Sequence, residues 1–153
     1  MMKTKAYIDT NVFLDLFLEG RKSTPAVNAI FQCVLDGQME AVLTTQSIMD
    51  AYYVHCEEGK NDSEEFFRFV NLSLDYVNVD YLSVLDLRWA RRNFSGDYED
   101  DAQVSRAIDT CCDIFLTNDK KLRARNEGKH GHLRFLSPEA FVQEMKDNMV
   151  TPS

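Results

Sequence analysis

The sequence lacks the features that would mark a chain for export, a membrane or a disulfide scaffold. No apolar run approaches the roughly 20 residues that a membrane-spanning helix needs. The opening Met1-Met2-Lys3-Thr4-Lys5 leads into a strand-like stretch rather than a secretion signal, so a cytoplasmic location is expected. With only three prolines and six glycines in 153 residues, there is no linker, low-complexity tract or internal repeat. Residues 1–148 therefore read as one domain and 149–153 as a frayed tail. The four cysteines, Cys33, Cys56, Cys111 and Cys112, form no C-x-x-C pair and read as reduced thiols. Zinc held by Cys56 or Cys111 with His55, His130 and His132 is the rival reading, and none of these stands at a recognised zinc spacing.

Positive charge is also short, with 17 Lys and Arg against 25 Asp and Glu for a net −8. A deficit of this size argues against a nucleic-acid partner, because phosphate contacts need cations. The argument weakens if several carboxylates surround a divalent cation, since the net charge then overstates the repulsion at that point. Basic residues are also grouped, at Arg88, Arg91 and Arg92 and again from Lys120 to Arg134. Either group would hold a nucleic-acid backbone or form an ordinary solvated face.

What is present is a hydrophobic content of 44%, arranged as short apolar runs alternating with amphipathic stretches. That alternation predicts an α/β fold, a three-layer α/β/α sandwich around a mostly parallel sheet. Strands are expected at Ala6-Tyr7-Ile8, from Glu40 to Leu43, more weakly from Tyr76 to Val79, from Ile114 to Thr117 and from Leu133 to Leu136. Helices are expected from Val12 to Leu18, from Ser23-Thr24-Pro25 to a stop at Gly37, from Thr44 or Thr45 to near Gly59, and from an Asp62/Glu65 capping box through Phe66, Phe67 and Phe69. Further helices are expected from Ser83 to Asn93, from Asp97 to about Thr110, and from Ser137-Pro138-Glu139 onward.

In an open parallel sheet, ligands bind outside the carboxyl ends of the strands. Asp9 directly follows the first strand, and Asp119 lies two residues past Thr117. Asp50 sits in the first two turns of the helix leaving the second strand, and Asp100 in the first turn of a helix that feeds a later one. All four are therefore expected on one rim. Carboxylates within about 4–6 Å of one another repel and raise one another's pKa, and a hard divalent cation relieves this. Oxygen-only donors favour Mg²⁺ or Mn²⁺ over zinc, and a metal-activated water is a better attacking group than one activated by a distant histidine. Each residue also has a plainer reading. Acidic residues opening a helix complement its dipole, and Asp97 is the expected cap; Asn118-Asp119 forms an ordinary turn; Asp15 is a solvated helix residue; Phe66, Phe67 and Phe69 are helix core and rim.

Four blocks in this order resemble the PIN domain, a metal-dependent nuclease fold that includes the VapC-type toxins of toxin–antitoxin modules. They are Tyr7-Ile8-Asp9-Thr10-Asn11-Val12-Phe13-Leu14, Thr45-Gln46-Ser47-Ile48-Met49-Asp50-Ala51-Tyr52-Tyr53, Asp97-Tyr98-Glu99-Asp100-Asp101-Ala102-Gln103 and Ile114-Phe115-Leu116-Thr117-Asn118-Asp119. The resemblance implies that Asp9 and Asp100 hold the main metal ion, that Asp50 completes the acidic ring, and that Asp119 anchors a second ion or a metal-bound water. It implies that Asn11 and Thr117 orient these carboxylates, with Asn118 and Asp101 in support. The implied reaction is hydrolysis of an RNA phosphodiester that leaves the phosphate on the downstream fragment. An antitoxin with a basic or aromatic segment is the implied partner, and a homodimer would use the apolar residues around Phe13-Leu14-Phe17 or Phe66-Phe67. Many family members carry Glu where this chain has Asp50, and adjacent Asp100 and Asp101 leave the ligand open between two positions.

Two other functions compete. A non-catalytic PIN-like module that binds RNA or a protein is favoured by the net −8 and the absence of a long basic stripe. A phosphotransfer domain shares the aspartate after the first strand, but Asn11 stands where an Asp-x-Asp phosphatase motif needs its second carboxylate.

Overall fold

A computed structural model describes residues 2–16, 18, 20–57 and 63–150. Five strands form one sheet, every pair parallel, in the order β3-β2-β1-β4-β5. The strands are β1 (Lys5–Ile8), β2 (Glu40–Thr44), β3 (Asn78–Asp80), β4 (Ile114–Leu116) and β5 (Arg134–Leu136). Helices α1 (Thr10–Leu14) and α2 (Thr24–Leu35) lie between β1 and β2. They are followed by α3 (Thr45–Glu57) and α4 (Ser63–Tyr76) before β3, α5 (Val84–Arg92) and α6 (Tyr98–Asp109) before β4, α7 (Lys120–Asn126) before β5, and α8 (Pro138–Val150). The expected α/β/α sandwich is the observed one, and its sheet is parallel throughout.

The three layers follow from the two-residue period of the strands. Ala6 and Ile8, Ala41 and Leu43, and Ile114 and Leu116 point to one face, where they meet residues of α1, α2, α3, α4 and α8. Tyr7, Val42 and Phe115 point to the other, against Val104 and Ala107 of α6 and Leu122 of α7. The Tyr7 ring stacks on Phe115 at 4.9 Å, and Phe115 stacks on Phe135 at 5.2 Å. Both faces of the central strands are buried, which is why they read as continuous apolar runs.

Local signals set several ends. The Thr44 hydroxyl accepts from the Ser47 amide at 3.1 Å and starts α3. Ser137 accepts from Ala140 ahead of Pro138, where α8 begins. Gly37 adopts φ +74°, the left-handed turn that releases α2, and a side chain there would be strained. The first helix is shorter than expected, ending at Leu14. Beyond it the Asp15 carboxylate is buried, taking Arg21 and the Asn118 side-chain amide, the latter at 2.8 Å. The expectation of a solvated Asp15 is therefore corrected. Phe17, the α3 stop at Gly59 and the Asp62 end of the capping box lie outside the described residues.

The strand order reverses direction between β1 and β4, the switch point where open α/β sheets leave a crevice. Register places Ile8 beside Leu116, so the next residues, Asp9 and Thr117, emerge side by side at the carboxyl edge.

Candidate active site

Asp9 is buried at that edge and fully engaged. Its Oδ1 accepts from the Thr10 amide at 2.8 Å, and its Oδ2 accepts from the Thr117 hydroxyl at 2.7 Å and the Asn11 side chain at 3.2 Å. Asn11 in turn accepts from the Asn118 amide at 3.2 Å, tying the end of β1 to the turn after β4. That turn carries Asp119, whose Oδ1 caps α7 by accepting from Lys121 and Leu122.

Asp100 reaches the same crevice from α6, which must start at the carboxyl edge because it feeds the parallel strand β4. Asp97 caps this helix, accepting from the Asp100 amide at 3.0 Å. Asp100 and Asp101 then part company. Asp101 is buried on another side of α6 and accepts from the Ser95 amide at 2.7 Å and the Ser95 hydroxyl at 2.6 Å. Asp100 lines the crevice, and Asp50 of α3 lines it from the β2 side.

The result is a cleft of about 280 Å³ walled by six carboxylates: Asp9, Asp50, Asp97, Glu99, Asp100 and Asp119. Four of them are the predicted residues, brought together from positions far apart in the chain. Asn11 shares this cleft and Thr117 borders it through Asp9. Asp101 does not belong to it, and the Asn118 side chain turns away toward Asp15 and Ser23. Sequence reasoning passed over Glu99, although a first-turn residue of α6 had the same claim as Asp100. It also passed over Arg125, whose Nη2 donates to Asp100 Oδ2 at 2.9 Å. No motif announced that arginine, because α7 itself was hidden in a run of basic residues.

The electrostatics follow from the crowding. Burial pushes the Asp9 carboxyl up to about 6 against the hydrogen bonds from Thr117 and Thr10 that lower it, and the charges of Asp119 and Glu99 raise it further. Burial also pushes Asp100 up, to about 7, with Asp97, Asp9 and Asp119 adding to the shift and Arg125 opposing it. Glu99 is raised by burial and then by Asp50 and Asp97.

The donor set fits a hard divalent cation, since the walls offer carboxylate oxygens and no thiol or imidazole. Among the described residues, no three His, Cys, Asp or Glu side chains converge on one point as a finished cage. Both oxygens of Asp9 and one each of Asp97, Asp100 and Asp119 are instead taken by amides, hydroxyls and Arg125. This suits Mg²⁺ or Mn²⁺, which is held through one or two carboxylates while retaining several waters. It does not suit a closed zinc site, and the cysteines and histidines of the rival reading form no such cluster among the described residues.

The sequence model of the PIN domain matches residues 5–121, which includes every carboxylate of the cleft. The chain belongs to the PIN-domain family. PIN domains are nucleases as a family, and the fold agrees with solved structures. PAE2754 from Pyrobaculum aerophilum superposes with a TM-score of 0.63 at 16% identity, covering 94% of this chain and 90% of that one. A chain from VapBC2 of Rickettsia felis, bound to a DNA fragment from their promoter, superposes with a TM-score of 0.58 at 13% identity, covering 88% and 98%. No curated protein matches the sequence.

Proposed function

We propose that the chain is a Mg²⁺- or Mn²⁺-dependent endoribonuclease that hydrolyses RNA phosphodiester bonds. The observation that carries this reading is the six-carboxylate cleft at the β1/β4 switch point, with Asp9 and Asp100 both pushed well above the ordinary aspartate range. A polar cleft kept at that electrostatic cost calls for a cation.

Asp9 and Asp100 are the residues to hold the main ion, with Asp119 at a second position and Asp50 completing the ring. When bound, the ion supplies positive charge that makes water a competent nucleophile near neutral pH and offsets the charge developing on the phosphate. The chain's own groups supply placement. Thr117 and Asn11 fix Asp9 Oδ2, the Thr10 amide fixes Oδ1, and the α7 cap fixes one oxygen of Asp119. Arg125 donates to Asp100 Oδ2 and so competes with the ion for that oxygen.

The partner side of the proposal follows the likeness to VapBC2. The chain acts as the toxin of a toxin–antitoxin pair in the cytoplasm, restrained by a small protein whose basic or aromatic segment fills the acidic cleft. Of the apolar residues expected at a homodimer face, Phe13, Leu14 and Phe66 are buried in the core, Phe17 lies outside the described residues, and exposed Phe67 is left to serve a dimer. Among the described residues, no helix is long and apolar enough to cross a membrane.

The test is cleavage of labelled RNA with Mn²⁺ and with chelator. Cutting is expected only with metal, and Asp9→Asn or Asp100→Asn is expected to lower the rate by at least about 100-fold. Cutting that survives both substitutions together removes the mechanism. A second reading, a non-catalytic binding module, draws on the absence of a finished cage among the described residues and on the Arg125 pairing. Calorimetric titration with Mn²⁺ separates the two, because a binding module has no need of the ion.

A further inference from the structure

A second cleft, of about 570 Å³, opens at the same edge of the sheet beside the acidic one. Its charge is of opposite sign. Arg21, Lys22, Lys120 and Arg123 line it against two carboxylates, Asp15 and Glu139. Lys22 and Lys120 are exposed and form no ion pair among the described residues. In a chain of net −8, such a concentration of cations beside the most acidic surface calls for an account.

Hydrogen bonds fix the two clefts to one another. The Thr117 hydroxyl holds Asp9 Oδ2, and the Thr117 carbonyl accepts from Arg123 Nη1 at 2.7 Å. On the other side, Asp9 takes Asn11, Asn11 takes the Asn118 amide, and the Asn118 side chain donates to Asp15, which also takes Arg21. Ser23, itself 8% exposed, donates to Asn118 Oδ1 at 3.0 Å and lies 2.5 Å from Glu139 Oε1. Both arginines are thus tethered, through buried groups, to the backbone that presents Asp9. Two tethered guanidinium forks with two mobile ammonium groups between them match a phosphodiester backbone: the forks set position, and the lysines add charge.

We propose that this cleft is a phosphate-binding subsite for the substrate strand, which leaves the acidic cleft and crosses Arg21, Lys22, Lys120 and Arg123 one or a few nucleotides from the bond that is cut. The inference rests on the ribonuclease reading and deepens it. The subsite also resolves the charge objection, since attraction is local and overall charge is secondary.

The experiment measures binding of a fluorescein-labelled oligouridylate to the Asp9→Asn protein by anisotropy across a salt series. Each phosphate contact on a single strand contributes about 0.7 to the slope of log affinity against log salt. Lys22→Gln with Lys120→Gln is therefore expected to reduce the slope by about 1.4 and to weaken binding roughly 10- to 30-fold at 0.1 M salt. Lys3→Gln with Lys146→Gln, which removes equal charge at the amino edge of the sheet, is expected to leave the slope in place. In the protein with Asp9 intact, the cleft variant is expected to raise KM and leave kcat within about twofold. Equal slopes for the two double variants would overturn the subsite, and so would a parent protein that does not bind the oligonucleotide. A protein that binds with the expected slopes and cuts nothing keeps the subsite and loses the nuclease reading. One that cuts RNA with equal slopes loses the subsite alone.

Discussion

Asp100 and Asp101 are neighbours in sequence, yet successive helical residues point about 100° apart, and their surroundings give them opposite duties. Asp101 is a structural acceptor that ties Ser95, in the chain entering α6, to the helix. Its replacement by Ala leaves two donors without their carboxylate and is expected to cost about 2 kcal/mol, a fall in Tm of about 4–8 °C. Asp100→Asn is expected to leave Tm unchanged or raise it, because it relieves repulsion from Asp97, Asp9 and Asp119. Thermal melts of the two variants in chelator check this, and equal losses would contradict the division of labour. Arg125 offers a sharper test. Its guanidinium occupies an oxygen of Asp100 that an incoming cation also attracts. For a partly exposed pair worth on the order of 1 kcal/mol at most, Arg125→Gln is expected to tighten Mn²⁺ binding about two- to fivefold by calorimetry. Weaker Mn²⁺ binding in that variant would mean that Arg125 holds Asp100 in place for the ion instead of competing with it.

Elements differed in how openly the sequence declared them. The central strands were legible because burial on both faces leaves unbroken apolar runs, and the residues after β1 and β4 were legible because a parallel sheet fixes where its carboxyl ends lie. Helix α7 was not. Its seven residues carry one buried apolar side chain, Leu122, among four cations, Ala124 and Asn126, which is too short for a helical period to show. Only the Asp119 cap marks its start, and that cap also reads as a turn. The β3 edge was read two residues early, because Tyr76 belongs to α4 and β3 begins at Asn78. The pairing of α5 with α6 was hidden for another reason: its core is ionic. Buried Asp86 accepts from Ser105 at 2.8 Å and from Arg106 Nε at 3.1 Å, and Arg106 reaches Asp80 and Asp109 as well. In a sequence these charges look solvated. Asp86→Ala strands a largely buried guanidinium, and a loss of about 3 kcal/mol is expected even with Asp80 and Asp109 remaining. Denaturant melts check it, and a loss below about 1 kcal/mol would show that the other two carboxylates suffice.

Across the whole molecule, the net charge of −8 is concentrated where it costs most. Asp9 and Asp100 protonate at about 6 and about 7, against 3.8 for an ordinary aspartate, so between those values the folded chain holds protons that the unfolded chain releases. The two groups therefore cost nothing below about pH 4, cost progressively more as pH rises through 6 and 7, and impose their full penalty above that. His130 acts in the opposite sense: burial lowers its pKa, so its contribution is lost as pH falls. Comparison of the parent with the Asp9→Asn, Asp100→Asn double variant cancels the histidine and isolates the carboxylates. In chelator at pH 8 the double variant is expected to be the more stable by roughly 1–3 kcal/mol, and the difference is expected to shrink as pH falls and to vanish only below about pH 4. Mn²⁺ reverses the order at pH 8, because an ion at about 1,000 times its Kd adds about 4.1 kcal/mol to the parent and nothing to a variant that cannot hold it. At pH 5 the ion must displace protons from both aspartates, so its stabilisation shrinks there. A gap between parent and variant that is independent of pH would show that the crowded carboxylates carry no such penalty, and with it would go the physical reason for a cation in the cleft.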